Sequence, residues 1–194
     1  MNAINELKAN VAQPFEQARA MPPAVYTSTD FLAREISDVF AQDWFCVGRA
    51  SALPNAGDYV THELAGQPIM VIRRNDGTLH AQSNVCLHRM STLLQGRGTT
   101  RSIVCPYHAW TYNLDGTLRG APAMTLNENF CKDAYKLPKV KCQEWLGWVF
   151  VSLNAVAPNV ADQLKDVEGL IDGYDMESYT ETFFETHVWD TNWK

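Results

Sequence analysis

Two short segments, Cys86-Leu87-His88 and Cys105-Pro106-Tyr107-His108, each bring one thiol and one imidazole into a chain that has five cysteines and five histidines in all. Sixteen residues, Arg89 to Val104, separate them, so two distinct loops each offer one sulfur and one nitrogen ligand. In an extended segment, residues two apart lie about 6–7 Å from each other and point the same way. That spacing suits a Cys and a His that reach different metals of one dinuclear group. Two thiolates on one iron and two neutral imidazoles on the other raise the reduction potential above that of an all-thiolate [2Fe-2S] cluster, and the electron then arrives on the histidine-bound iron. Cys86, His88, Cys105 and His108 are therefore candidate metal and cofactor ligands for one-electron transfer.

Other chemistry is open to the same residues. A Cys2His2 set can close a tetrahedral zinc site, although structural zinc sites usually draw each knuckle as a Cys pair or a His pair, and here both loops are mixed. A Cys–His nucleophile pair would leave the second Cys and the second His without a role. The remaining candidates have plainer readings. His62 and His80 lie in strand-like runs and read as surface or packing residues. His187 alternates with Glu185 and Trp189 near the end of the chain. Cys46, Cys131 and Cys142 read as buried thiols.

The elements that must position the two loops are mostly strands. Trp44 to Gly48, Tyr59 to Leu64, Pro68 to Arg74 and Leu79 to Val85 are short β-rich runs, with Asp76-Gly77 as a hairpin turn between the last two. Ser102 to Cys105, Ala109 to Asn113, Thr117 to Arg119, Val140 to Glu144 and Trp148 to Leu153 continue the pattern, with Asp115-Gly116 as a second turn. Helical spacing is confined to the flanks. Ile4, Leu7 and Val11 suit a short helix that ends before Pro14. Thr27 with Asp30 resembles a capping box for a helix from about Thr29 to Gln42. After Pro158, Val160, Leu164, Val167 and Ile171 share a helical face, with Asn159 placed to cap it and Gly173 to end it. Tyr179 to Trp193 alternates polar and apolar residues in the manner of a strand with no partner after it. The expected fold is mainly β: an antiparallel sandwich or small barrel with flanking N- and C-terminal helices and a terminal strand. Its expected division is a helical flank over 1–43, the metal-binding domain over 44–155, and a helix and strand over 156–194.

Composition narrows the class of partner. The chain has 194 residues, of which 46% are hydrophobic and 20% charged, and it carries a formal net charge of −6 with its basic residues scattered. An acidic chain without a basic face is a poor partner for nucleic acid. The longest uncharged stretch, Trp145 to Ala161, is interrupted by Gly147, Asn154 and Pro158 and does not read as a membrane span. The first twenty residues carry Glu6, Lys8, Glu16 and Arg19 in place of a secretory signal, so a cytoplasmic location is expected.

Cys86-x-His88-Arg89, then Cys105-Pro106-Tyr107-His108-x-Trp110-x-Tyr112 and Leu114-Asp115-Gly116, resembles the Rieske signature of ring-hydroxylating and related non-haem iron oxygenase α subunits. Phe40, Trp44, Gly57-Asp58 and the closing Asn192-Trp193-Lys194 also sit where such subunits commonly place similar residues. The resemblance implies a Rieske-type fold and a [2Fe-2S] cluster on Cys86, His88, Cys105 and His108. It implies electrons supplied by an NAD(P)H-dependent reductase or a ferredoxin and passed to a mononuclear Fe(II) that activates O2 for hydroxylation or demethylation of an organic substrate. Whole subunits of this kind form homotrimers or assemble with β subunits. A stand-alone Rieske ferredoxin is the alternative, although such carriers are usually much shorter. The ligands of the mononuclear iron are expected beyond Asn192-Trp193-Lys194, so this stretch alone, read as a fragment, is expected to be inactive as an oxygenase.

Departures from related patterns matter as well. Rieske proteins of respiratory bc complexes carry a disulfide between the loops, at positions held here by Ser91 and Tyr107, and a serine at the position of Trp110. Fewer donors to the sulfurs imply a potential near the low end of the Rieske range, about −150 mV. Met90 and Ala109 stand where the oxygenase family usually has glycine, and Trp110 and Tyr112 are expected to pack beneath the loops.

Overall fold

The computed structural model describes residues 3–194. Ten strands account for its centre: β1 Phe45–Arg49, β2 Asp58–Leu64, β3 Gln67–Arg73, β4 Leu79–Ser83, β5 Arg97–Thr99, β6 Ile103–Val104, β7 Thr111–Tyr112, β8 Leu118–Gly120, β9 Lys139–Trp145 and β10 Trp148–Ser152. Seven form an antiparallel sheet in the order β1-β10-β9-β4-β3-β2-β5, and β6-β7-β8 form a second, small sheet.

The apolar run Pro68 to Ile72 sits in the middle of this arrangement, and its place explains its composition. Alternate residues of a strand point to opposite faces. Ile69 and Val71 therefore enter one core with Val60, Ala81, Val149 and Val151. Met70 and Ile72 enter the other, with Ile103, Tyr112, Leu118 and Leu137. A strand buried on both faces has no polar side to show, so β3 reads as continuous rather than alternating hydrophobicity.

Tight turns fix the register. At Asp76 and again at Asp115, the carboxylate accepts hydrogen bonds from the backbone N–H and the hydroxyl of the threonine two residues on, Thr78 and Thr117. Ala65-Gly66 and Leu146-Gly147 close two more hairpins with positive φ at both central residues, the conformation that matches the twist of the flanking strands.

The flanks depart from expectation in several places. Helix α1 covers Ala3–Val11 and α2 covers Ala24–Thr27. Helix α3 spans only Thr29–Glu35, continues as a π-turn over Ile36–Phe40, and is capped by the Ser28 hydroxyl, which accepts from Phe31 N at 3.2 Å, and not by Thr27. Thr27 lies inside α2, where its hydroxyl turns back to the Pro23 carbonyl. Beyond the sheet, α4 Val160–Gln163 and α5 Lys165–Ile171 are separated at Leu164. Asn159 does not cap α4: Gln143 Oε1, from β9, accepts from Val160 N at 2.7 Å, while Gln143 Nε2 donates to Asn159 Oδ1 at 2.9 Å.

The terminal strand expected over Tyr179 to Trp193 does not form. Side chains fasten that segment instead: Arg49 donates to the Met176 and Tyr179 carbonyls, Arg97 pairs with Glu181, and Lys194 pairs with Glu35. Among the described residues no helix is long and apolar enough to cross a membrane.

Candidate metal centre

The two Cys–His loops are built on one backbone plan. In the first, Cys86 N donates to Ser91 O at 2.8 Å and Met90 N donates back to Cys86 O at 3.0 Å. In the second, Cys105 N donates to Trp110 O at 2.8 Å and Ala109 N to Cys105 O at 3.0 Å. The fifth residue of each loop lies in the left-handed region, Met90 at φ 54° and Ala109 at φ 57°. Glycine adopts that region without steric penalty, whereas a residue with a Cβ pays about 1–2 kcal/mol. This is the physical reason glycine is usual at both positions.

The loops place like ligands together. Cys86 and Cys105 are both buried, at 0% and 2% exposed, and belong to the same core cluster. His88 and His108 stand at the half-buried rim with ring centroids 4.8 Å apart. Both imidazole Nδ1 atoms are buried with no hydrogen-bond partner. A buried polar atom left unpaired costs about 1–3 kcal/mol, so two adjacent orphans call for a ligand between them and the thiols. Among the described residues, no group of three or more His, Cys, Asp or Glu side chains gathers around one point. A thiol pair beside an imidazole pair supplies two ligands to each of two metals, and the donor set therefore fits a [2Fe-2S] cluster with mixed ligation.

Electrostatics favour the ligating forms. Burial pushes the Cys105 thiol up, but the backbone N–H groups of Tyr107 and His108, the Cys86 thiol and the Ser91 hydroxyl outweigh it and hold the group below its ordinary value. Burial, the neighbouring His88 and the Arg89 guanidinium all push His108 down, which keeps its imidazole neutral.

Tyr112 is the residue of the site that sequence reasoning undervalued. The Tyr112 hydroxyl lies 3.4 Å from Cys86 Sγ and accepts from Leu87 N at 3.0 Å. Burial and the Cys86 thiol raise its pKa well above the ordinary phenol value, so it remains a proton donor. It gives the Cys86 sulfur one side-chain hydroxyl donor, although the serine of the bc-complex pattern is replaced by Trp110. The signal was available: Trp110 and Tyr112 are two apart on an extended segment and so face the same way. Trp110 is buried and lies flat on His88, 4.9 Å between centroids and 4° between planes, with Tyr135 and Phe130 edge-on behind it at 5.5 and 5.7 Å.

The other sequence candidates lie elsewhere. His62 is half-buried, with its Nε2 buried and unpaired. His80 is buried on β4. His187 meets Glu185 at 3.2 Å on the surface. Cys46 and Cys131 are exposed and not buried as expected, because Cys46 faces outward from an edge strand and Cys131 lies in the loop before β9; Cys142 is partly buried.

Comparison with known proteins agrees with this geometry. Residues 43–139 match the model of the Rieske [2Fe-2S] domain. The oxygenase subunit of carnitine monooxygenase from Escherichia coli K12 is 40% identical over 150 residues, covering 77% of this chain and 40% of that protein. The oxygenase subunit of glycine betaine monooxygenase from Chromohalobacter salexigens is 33% identical over 193 residues, covering 99% of this chain and 43% of that protein. A solved quaternary ammonium Rieske monooxygenase, described in connection with carnitine oxidation by gut microbiota and inter-subunit electron transfer, superimposes with a TM-score of 0.73 at 38% identity, over 78% of this chain and 42% of that one. The chain thus spans about two fifths of the length of the curated relatives it matches. With half of its residues matched, and both Cys–His loops inside the match, the chain belongs to the Rieske [2Fe-2S] domain family.

Proposed function

We propose that this chain is the electron-accepting domain of an oxygenase subunit, in which Cys86 and Cys105 hold one iron of the [2Fe-2S] cluster and His88 and His108 hold the other. The observation that carries this reading is the segregation of side chains: two buried thiols inside, and two imidazoles side by side at the rim with both Nδ1 atoms unpaired. Bound there, the cluster supplies a one-electron acceptor of raised potential.

The protein's own residues shape that site. Tyr112 directs its hydroxyl at the Cys86 sulfur. Trp110 seals the inner side of His88 against water. Tyr107, 58% exposed, lies against the His108 ring at 3.7 Å and leaves the imidazole side of the site as the face open to a redox partner.

In the whole protein, electrons come from an NAD(P)H-dependent reductase or ferredoxin and serve a mononuclear Fe(II) site, in a homotrimer or an assembly with β subunits. The carnitine and glycine betaine relatives favour a quaternary ammonium compound as the substrate, hydroxylated or demethylated. We take the Rieske unit to be 44–155, with flanks over 1–43 and 156–194; the family match over 43–139 and the ten strands within that range support this division. All five cysteines are free, which suits the reducing cytoplasm.

The test is iron and acid-labile sulfide content after anaerobic reconstitution of the chain and of Cys86→Ser, His88→Ala, Cys105→Ser and His108→Ala. Two irons and two sulfides per chain, lost in each variant, are expected. A variant that keeps the full complement removes its residue from the ligand set.

A further inference from the structure

Glu35 is a buried carboxylate on a short helix whose neighbours Leu32, Ala33, Arg34 and Ile36 are exposed. A buried carboxylate needs partners that repay its lost hydration, and among the described residues they come from the far end of the chain. Lys194 Nζ lies 2.9 Å from both Glu35 oxygens, and Trp193 Nε1 donates to Oε2 at 3.2 Å. The Lys194 and Glu35 side chains are only 8% and 10% exposed.

The same ammonium is ringed by aromatic faces. Its nitrogen is 5.1 Å from the centroid of Trp193, 5.5 Å from Phe31 and 5.6 Å from Tyr26. Each distance is within the range of about 6 Å over which a ring quadrupole attracts a cation. Phe31 and Glu35 stand one turn apart on α3 and so share a face. Neighbouring contacts set the frame: Asn192 Nδ2 donates to Tyr26 O at 2.9 Å, Lys194 N donates to Asn192 Oδ1 at 3.0 Å, and Trp193 packs edge-on against Phe40 at 4.9 Å.

We propose that Tyr26, Phe31, Trp193 and Glu35 form a receptor for a primary alkylammonium group, and that Lys194 is its built-in occupant, clasping Asn192–Lys194 onto α2 and α3. The carboxylate supplies the charge and the hydrogen-bond acceptors, and the three rings, of which Tyr26 and Trp193 keep an outer side in solvent, flank the ammonium. Tethering gives Lys194 an effective concentration in the millimolar range, so dilute free amines do not displace it. Removing the side chain beyond Cβ leaves a site shaped for n-propylammonium, which replaces the missing atoms from Cγ to Nζ. This inference is independent of the metal centre.

The experiment follows the Trp193 indole N–H by nitrogen-15 NMR in the full chain, assigned through Trp193→Phe. In Lys194→Ala the docked signal is expected to disappear, and n-propylammonium to restore it saturably with a midpoint of about 1–10 mM. n-Propanol should not restore it, and the wild-type signal should not respond to the amine. A docked signal that persists in Lys194→Ala, a failure of the amine to restore it, or equal restoration by propanol overturns the proposal. Should Lys194→Ala not fold, Lys194→Arg is expected to keep the signal and Lys194→Met to lose it. Retention in Lys194→Met overturns the proposal as well.

Discussion

Replacing Tyr112 with Phe removes one oxygen and leaves the volume of a fully buried ring in place. That oxygen makes two contacts, each with a separable consequence. Toward Cys86 Sγ, 3.4 Å away, it is a donor. A reduced cluster carries one more negative charge than an oxidised one, so its sulfur gains more from the donor, and loss of the hydroxyl lowers the potential. If the two states differ by about 1 kcal/mol, the size of one ordinary net hydrogen bond, the fall is about 40 mV for a single electron. Toward Leu87 N, 3.0 Å away, the oxygen is an acceptor. The orphaned, partly buried N–H costs about 1–3 kcal/mol, or roughly 2–12 °C in Tm for a chain of this length. Film voltammetry and thermal scans of the cluster-loaded protein measure both. A lowered Tm with an unchanged or raised potential would show that the hydroxyl does not donate to the sulfur, and would refute the reasoning.

Three further outcomes follow from the geometry. Met90→Gly and Ala109→Gly each relieve a left-handed residue of about 1–2 kcal/mol, partly offset by glycine's entropy of about 0.5–1 kcal/mol, so each should raise the urea midpoint slightly; a lowered midpoint contradicts the strain argument. Hydrogen bonds from the Thr99 hydroxyl and the Asn55 N–H depress the pKa of Asp58; its stabilisation is complete above the unfolded value of about 3.9 and lost as pH falls through the folded one. Urea titrations between about pH 5 and pH 3 should therefore show a shallower acid loss in Asp58→Asn than in wild type, and equal slopes would remove Asp58 from the account. Burial and the nearby Glu144 raise the Cys142 thiol to about 12, while Cys46 and Cys131 are exposed; a thiol reagent at mildly alkaline pH should label the latter two quickly and Cys142 slowly, and fast labelling at Cys142 would contradict its burial.

Legibility in the sequence followed the physics of each element. Nine strands announced themselves because their side chains alternate or, as in β3, fill two cores at once. Strand β5, Arg97–Thr99, did not: all three residues are exposed and the middle one is glycine, so no hydrophobic pattern marked it. The segment after Tyr179 carried a strand-like alternation, yet a ladder needs a neighbouring backbone, and Arg49, Arg97 and Glu35 hold it through side chains instead. Ser28 outcompeted Thr27 as a cap because α2 had already absorbed Thr27. Within the site, the four candidate ligands were legible from type and spacing alone. The shared backbone plan of the two loops was not, since it depends on Met90 and Ala109 adopting a conformation that their identities disfavour. Nor was the hydroxyl of Tyr112, which sequence reasoning had placed beneath the loops without aiming it at Cys86.

The most direct measurement is pulsed electron paramagnetic resonance on the reconstituted, dithionite-reduced chain. Mixed ligation predicts a rhombic signal with couplings to two distinct imidazole nitrogens, one lost in His88→Ala and the other in His108→Ala. A signal without nitrogen coupling, or a colourless protein that gives none, would contradict the assignment of Cys86, His88, Cys105 and His108 to a [2Fe-2S] cluster.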